Sequence, residues 1–137
     1  DKYTIVLVGL KDEQKKSLPS NIIGITRTES QLELAEFYSM ANVFCNMTYL
    51  DTFPTVNLEA LACGTPVITY KTGGSPEAVD SKTGVVVEQG NINAIAEAIK
   101  AMHKKTLDSN DCRKRAEDLF DKNKCFEKYI ELYDSLI

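Results

Sequence analysis

Short apolar runs alternate with helical patterns along this chain, and that alternation leaves few folds open. The runs are Tyr3 to Val8, Asn21 to Ile25, Val43 to Cys45, Pro66 to Tyr70 and Gly84 to Val87. The first is continuous, rich in β-branched residues and closed by Gly9, the pattern of a strand covered on both faces in a parallel sheet. Helices are predicted between the runs. One covers Lys11 to Ser17, and one follows Ser30, whose capping-box spacing to Glu33 precedes Leu34, Phe37 and Tyr38. Another covers Pro54 to Cys63, with Pro54 in its first turn and Gly64 ending it. Asn91 caps a helix with Ile92, Ile95, Ala96, Ile99 and Met102 on one face. Asp108 caps the next, and a final helix carries Phe126, Tyr129, Ile130, Tyr133 and Ile137 as one buried stripe. Strands and helices alternating at this spacing imply right-handed crossovers and a three-layer α/β fold around a doubly wound parallel sheet.

The 137 residues are 43% hydrophobic, enough for one compact domain over 1–137, with no repeat, linker or low-complexity tract. Sixteen basic residues against 20 acidic ones, net −4, give no general attraction for nucleic acid or anionic lipid. Apolar runs of a few residues fall far short of the roughly 20 that span a bilayer, so a soluble, cytoplasmic domain is expected. The N-terminus carries no secretion leader pattern. Cys45, Cys63, Cys112 and Cys125 form no C-x-x-C pair, which argues for reduced structural thiols rather than zinc ligands or disulfides. The lone His103, near a helix end among lysines, reads as solvated or weakly capping.

In doubly wound sheets ligands sit beyond the carboxyl ends of the strands. That directs attention to the loops after Val8, Ile25, Met47 and Tyr70, with Gly9 and Thr26 opening the first two. The third loop and the helix after it run Leu50-Asp51-Thr52-Phe53-Pro54-Thr55-Val56-Asn57-Leu58-Glu59. An acid stands at the strand exit and a second lies eight residues later, with first-turn N–H groups between them. Those N–H groups lack intrahelical partners and sit at the positive end of the helix dipole, so a diphosphate is stabilised there without a lysine. A carboxylate accepts well from the two neighbouring hydroxyls of a ribose. The plain alternative is that Asp51 is a loop acid favouring a helix N-terminus and Glu59 a solvated helix residue. It must also account for Thr72-Gly73-Gly74-Ser75-Pro76-Glu77, a second loop at the next strand exit whose glycines permit close backbone approach.

The run from Asp51 to Val67, followed by Gly73-Gly74-Ser75-Pro76-Glu77, resembles the signature of the group 1 (family 4) retaining glycosyltransferases, in which two acids frame a seven-residue interval. The segment Tyr38-Ser39-Met40-Ala41-Asn42-Val43, the strand Gly84 to Val87 and the helix after Asn91 extend the similarity over nearly the whole chain. The resemblance implies the Rossmann-like C-terminal half of a two-lobed GT-B enzyme, one that transfers a hexose from a nucleoside-diphosphate sugar, UDP- or GDP-linked, in polysaccharide or glycoconjugate biosynthesis. It gives Glu59 the donor ribose and Asp51 the transferred sugar. Phe53, Pro54 and Thr55 would approach sugar and diphosphate through backbone, Val56, Asn57 and Leu58 would line the nucleotide side, and Gly9, Thr26, Gly73 and Gly74 would be secondary loop positions. No metal or cofactor is implied, and the acceptor, a glycan or lipid, would belong to an N-terminal domain. Peripheral membrane association is assigned only to the full-length enzyme.

The chain departs from the family pattern in two places. The family usually has Glu-Gly where this chain has Asp51-Thr52, which shortens the carboxylate by one methylene. Family members also begin this domain with a further strand and a loop carrying an Arg and a Lys, preceded by the acceptor domain. Without these, the strand Thr4 to Val8 is expected near a sheet edge with apolar groups exposed, and the isolated chain is expected to be inactive. A non-catalytic flavodoxin-like or receiver-like module is the alternative reading. Leu10-Lys11-Asp12-Glu13 offers it no phosphate loop, and neither Gly9-Leu10-Lys11-Asp12 nor Asn46-Met47 supplies a receiver's aspartates.

Overall fold

The computed structural model describes residues 3–136, in two compact units, Asp1–Glu36 and Phe37–Ile137. In the first, β1 (Ile5–Val8) and β2 (Ile22–Ile25) flank the short helix α1 (Asp12–Lys16). They pair in parallel with Ile5 opposite Ile22 and Val8 opposite Ile25, so Gly9 and Thr26 follow from the same end of the ladder. The N–H groups of Gly9 and Leu10 both donate to the Ile25 carbonyl, at 2.9 and 3.2 Å. β1 is not covered on both faces: Ile5, Val6, Leu7 and Val8 are all exposed, at 37–45%. Among the described residues it pairs along one edge only, as expected of a strand near a sheet edge. An apolar run reports what a strand would bury, not what packs on it.

Helix α2 (Gln31–Met40) follows β2 in the chain. Ser30 Oγ accepts from the Glu33 N–H at 3.1 Å, as the capping box requires. The return bond goes one residue further back, with the Glu33 carboxylate accepting from the Glu29 N–H at 2.5 Å.

In the second unit, β3 (Phe44–Asn46), β4 (Val67–Tyr70) and β5 (Gly84–Val87) pair in the order β3-β4-β5, all parallel. Helix α3 (Thr55–Ala62) connects the first two strands, and the single turn α4 (Ser75–Ala78) connects β4 to β5. This is the α/β, Rossmann-like architecture that the alternation implies. The central strand β4 is buried at all four positions. Its side chains Ile68 and Tyr70 join Val87, Ala98 and Met102 in the core. Pro54 takes the N-cap position of α3, one residue before the first turn in which the sequence pattern puts it. The helix ends at Cys63 with Gly64 at φ +80°. There the Gly64 N–H donates to Leu61 O and the Thr65 N–H to Ala60 O, both at 2.9 Å, which closes a Schellman cap that needs the left-handed conformation.

Helix α5 (Ile92–Lys104) is capped as expected, the Asn91 side chain accepting from the Ala94 N–H at 3.0 Å. Its packed face is rotated from the expected one. Ala98 and Met102 are buried and Ala94, Ile95 and Ile99 pack against the core, whereas Ile92 is 74% exposed. Helices α6 (Ser109–Leu119) and α7 (Lys122–Asp134) follow, capped by Asp108 and Asp121. The stripe on α7 is not buried: Phe126, Tyr129, Ile130 and Tyr133 are each 60% exposed or more, and Ile137 lies outside the described residues. Helical periodicity places these residues on one face without supplying a surface to cover it. No helix among the described residues is long and apolar enough to cross a membrane.

Arg115 of α6 fastens the segment after α4. Its guanidinium donates to Ala78 O at 2.7 Å, to Glu77 O at 2.9 Å and to the Asp80 carboxylate at 2.7 Å. Desolvation raises the Asp80 pKa, but hydrogen bonds from the Lys82 N–H and the Thr83 hydroxyl, with the Arg115 charge, overcome it and hold the carboxyl below its ordinary range. A carboxyl depressed in the folded state contributes stability above its unfolded value and loses it as pH falls through the folded one. Arg115→Met should therefore cost about 1–2 kcal/mol near neutral pH, a partly solvated cluster being discounted for screening. The deficit should shrink below about pH 4, where Asp80 protonates in the unfolded chain. Denaturant unfolding of both proteins from pH 7 to pH 3 checks this, and a deficit that grows on acidification would contradict it.

Candidate functional site

Parallel register brings the flagged loops of the second unit to one end of the sheet. Asn46, Thr69 and Val86 lie side by side at the carboxyl ends of β3, β4 and β5. The loop after β3 is fastened to its strand and helix by amides: Asn46 Oδ1 accepts from the Thr48 N–H at 3.3 Å, and Asn46 Nδ2 donates to Asn57 Oδ1 at 2.9 Å. Within the loop, Asp51 is exposed and its Oδ1 accepts from the Phe53 N–H at 3.1 Å, a local Asx turn. One carboxylate oxygen thus shapes the loop, and the other remains available.

The second loop packs directly on the first. The Gly74 N–H donates to Thr52 O at 2.7 Å, and the Thr72 hydroxyl donates to Tyr49 O at 3.0 Å. Gly73 stands at φ +47° with its α-carbon against the Asp51 carbonyl, where an added Cβ would overlap that oxygen. A Cβ on Gly74 would lie 2.5 Å from the Phe53 ring. The glycine pair is required here by close backbone approach to the Asp51–Phe53 segment, so part of its role is structural.

From Pro54 the chain enters α3. Pro54 is buried and supplies no side-chain cap, leaving the start of the helix without a side-chain acceptor. Thr55 is exposed at this end, Val56 and Leu58 are half-buried, and Asn57 is fully buried. Asn57 Nδ2, Thr69 Oγ1 and Ser75 Oγ are buried and make no hydrogen bond among the described residues. Asn57 lies in the first turn of α3 and Ser75 begins α4, so buried polar groups stand at the start of both helices that follow the two loops. Glu59 is exposed one turn along α3 from Thr55. With Leu58, Ala62, Phe120 and Lys122 it lines a cleft of about 330 Å³.

Glu59 has a partner that local pattern does not reveal. The Tyr38 hydroxyl donates to Glu59 Oε2 at 3.2 Å from 21 residues away. Burial, then the Glu59 charge and this hydrogen bond, push the Tyr38 phenol well above the usual tyrosine range. The segment Tyr38 to Val43 appears in the sequence only as part of a resemblance, and nothing in its spacing marks the phenol as a partner of the acid.

The structure therefore joins Asp51, Phe53, Gly73 and Gly74 in one backbone-bonded cluster, and Thr55 to Glu59 continue from it on α3. Gly9, at φ +91°, and Thr26, whose hydroxyl lies 3.4 Å from Asp12 Oδ1, belong to the first unit. The four cysteines form no disulfide; Cys112 is fully buried, and burial first, then Asp111, pushes its thiol up to about 11. Among the described residues no group of three or more His, Cys, Asp and Glu side chains is placed to hold a metal ion.

Comparison with known proteins gives concordant matches. The sequence profile of the family "Glycosyl transferases group 1" matches residues 1–119. The capsular polysaccharide biosynthesis glycosyltransferase CapM of Staphylococcus aureus is 35% identical over 107 residues, which cover 74% of this chain and 28% of CapM. A D-inositol 3-phosphate glycosyltransferase of Kribbella flavida is 41% identical over 70 residues, half of this chain and 16% of that protein. Among solved structures, the sucrose-phosphate synthase of Thermosynechococcus elongatus superposes with a TM-score of 0.81 at 28% identity, covering 97% of this chain and 38% of that one. The chain thus spans well under half the length of each of these three proteins.

Proposed function

This chain belongs to the group 1 glycosyl transferase family, and from that premise we propose that it forms the donor-binding part of a cytoplasmic enzyme that moves a sugar from a nucleoside diphosphate, UDP or GDP, to a glycan or lipid acceptor with retention at the anomeric carbon. The observation that carries this reading is the uncapped start of α3 set between two acids, with Asp51 on the loop before it and Glu59 one turn into it.

The roles follow from chemistry. N–H groups of the first turn of α3, at the positive end of its dipole, take the diphosphate and stabilise the charge that develops as the leaving group departs. The Glu59 carboxylate accepts from the vicinal ribose hydroxyls. Asp51 keeps one oxygen on the Phe53 N–H and offers the other to a hydroxyl of the transferred sugar. The Gly73-Gly74 loop supports the Asp51 segment and so places that carboxylate. No metal or cofactor is invoked in this reading, and Asp51 is not assigned as a nucleophile.

Titration with UDP and GDP, followed by backbone amide shifts, tests the reading. The response to one of them should concentrate on Phe53 to Glu59 and extend to Gly73 and Gly74. A response confined to other strand ends would favour a different phosphate-binding module. No response to either nucleotide at millimolar concentration would remove the donor-site assignment.

A further inference from the structure

We propose that Tyr38 is the positioning residue for the donor-ribose acid, holding the Glu59 carboxylate in the orientation in which it receives the ribose hydroxyls. This rests on the donor-site reading above and deepens it. The geometry is specific. Tyr38 is 8% exposed, and its ring packs edge-on against Phe44 with centroids 5.2 Å apart and planes at 85°. Its carbonyl accepts from the Thr65 hydroxyl at 2.5 Å and from the Ala41 N–H at 3.0 Å. Backbone and ring are thus both fixed, and the phenol ends at Glu59 Oε2.

Glu59 is the opposite kind of group. It is exposed, and among the described residues nothing besides Tyr38 donates a hydrogen bond to its carboxylate. An exposed glutamate has three rotatable bonds and no reason to hold one rotamer, so freezing it at the moment of binding costs affinity. A bond from a buried, immobile phenol removes part of that cost in advance. It occupies one lone pair of Oε2, leaving Oε1 and the second lone pair of Oε2 for a vicinal diol. Because burial and the Glu59 charge keep the phenol protonated, it stays a donor through the physiological range.

The test is a double-mutant cycle on the intact protein, with Tyr38→Phe, Glu59→Ala and the pair, titrated with UDP and GDP and with their 2′-deoxy forms. Phenylalanine keeps the ring and its packing on Phe44. Tyr38→Phe should leave the thermal midpoint within a few degrees and weaken binding of the preferred ribonucleotide about threefold to tenfold. The 2′-deoxynucleotide should lose less, and Tyr38→Phe should have no further effect once Glu59 is alanine. Equal losses for ribo- and deoxynucleotide, or undiminished losses in the Glu59→Ala background, would make Tyr38 a structural residue and overturn the proposal. Unchanged ribonucleotide binding in Tyr38→Phe, with Glu59→Ala impaired, would overturn it too while leaving the donor site standing. Unchanged binding in Glu59→Ala would instead remove the donor-site reading itself.

Discussion

Glu59→Ala should weaken nucleoside-diphosphate binding by a factor of roughly 30 to 150, equivalent to about 2–3 kcal/mol for two charge-assisted hydrogen bonds removed together. The fold should be unaffected, because Glu59 is an exposed residue of α3 whose hydrogen-bond partner, Tyr38, is held by its ring and backbone without it. Asp51→Ala should behave differently. Its assigned partner is the transferred sugar, so affinity for the bare diphosphate should change little while the preference for the sugar nucleotide over the diphosphate disappears. Calorimetric titration of both variants with a nucleoside diphosphate and its sugar conjugate separates the two acids. Equal losses at both positions for the bare diphosphate would contradict the division of labour.

The parts of this site legible in the sequence are those set by neighbours within four or five residues. The Asn91 and Asp108 caps, the Gly64 terminator and the strand runs all depend on local hydrogen bonds and steric limits, and the structure has each of them. The order Asp51, first turn of α3, Glu59 is local as well. Side-chain partners far apart in sequence are not legible. Tyr38 meets Glu59 across 21 residues and Arg115 reaches Asp80 across 35, each because two elements pack rather than because of any spacing. Burial escapes the sequence in the same way. The stripe Phe126, Tyr129, Ile130 and Tyr133 has faultless helical periodicity and remains exposed, while Ala94 and Ala98, unremarkable in a hydropathy pattern, define the packed side of α5. Hydrophobicity measures the free energy available from burial; which surface delivers it is decided by tertiary packing.

The largest stability loss should come from Gly73→Ala. Two terms add. At φ +47° any L-residue loses about 1–2 kcal/mol to the left-handed conformation. The new Cβ would also overlap the Asp51 carbonyl oxygen, a backbone atom that no rotamer change can move. Relief requires separating the two loops, which breaks the 2.7 Å bond from the Gly74 N–H to Thr52 O at a further cost of about 1 kcal/mol. The sum, about 2–3 kcal/mol, is a large share of the stability of a domain this size. Gly9→Ala is the matching control, since Gly9 has φ +91° and an added methyl there would meet nothing within 4 Å, so it carries the conformational term alone. Denaturant unfolding should therefore rank Gly73→Ala well below Gly9→Ala. The displaced partner is the Asp51 segment, so Gly73→Ala should also reproduce the Asp51→Ala binding phenotype, losing preference for the sugar nucleotide while retaining the bare diphosphate. Equal destabilisation by the two glycine substitutions would mean that the loops can part freely, and the Gly73-Gly74 turn would then have no part in placing Asp51.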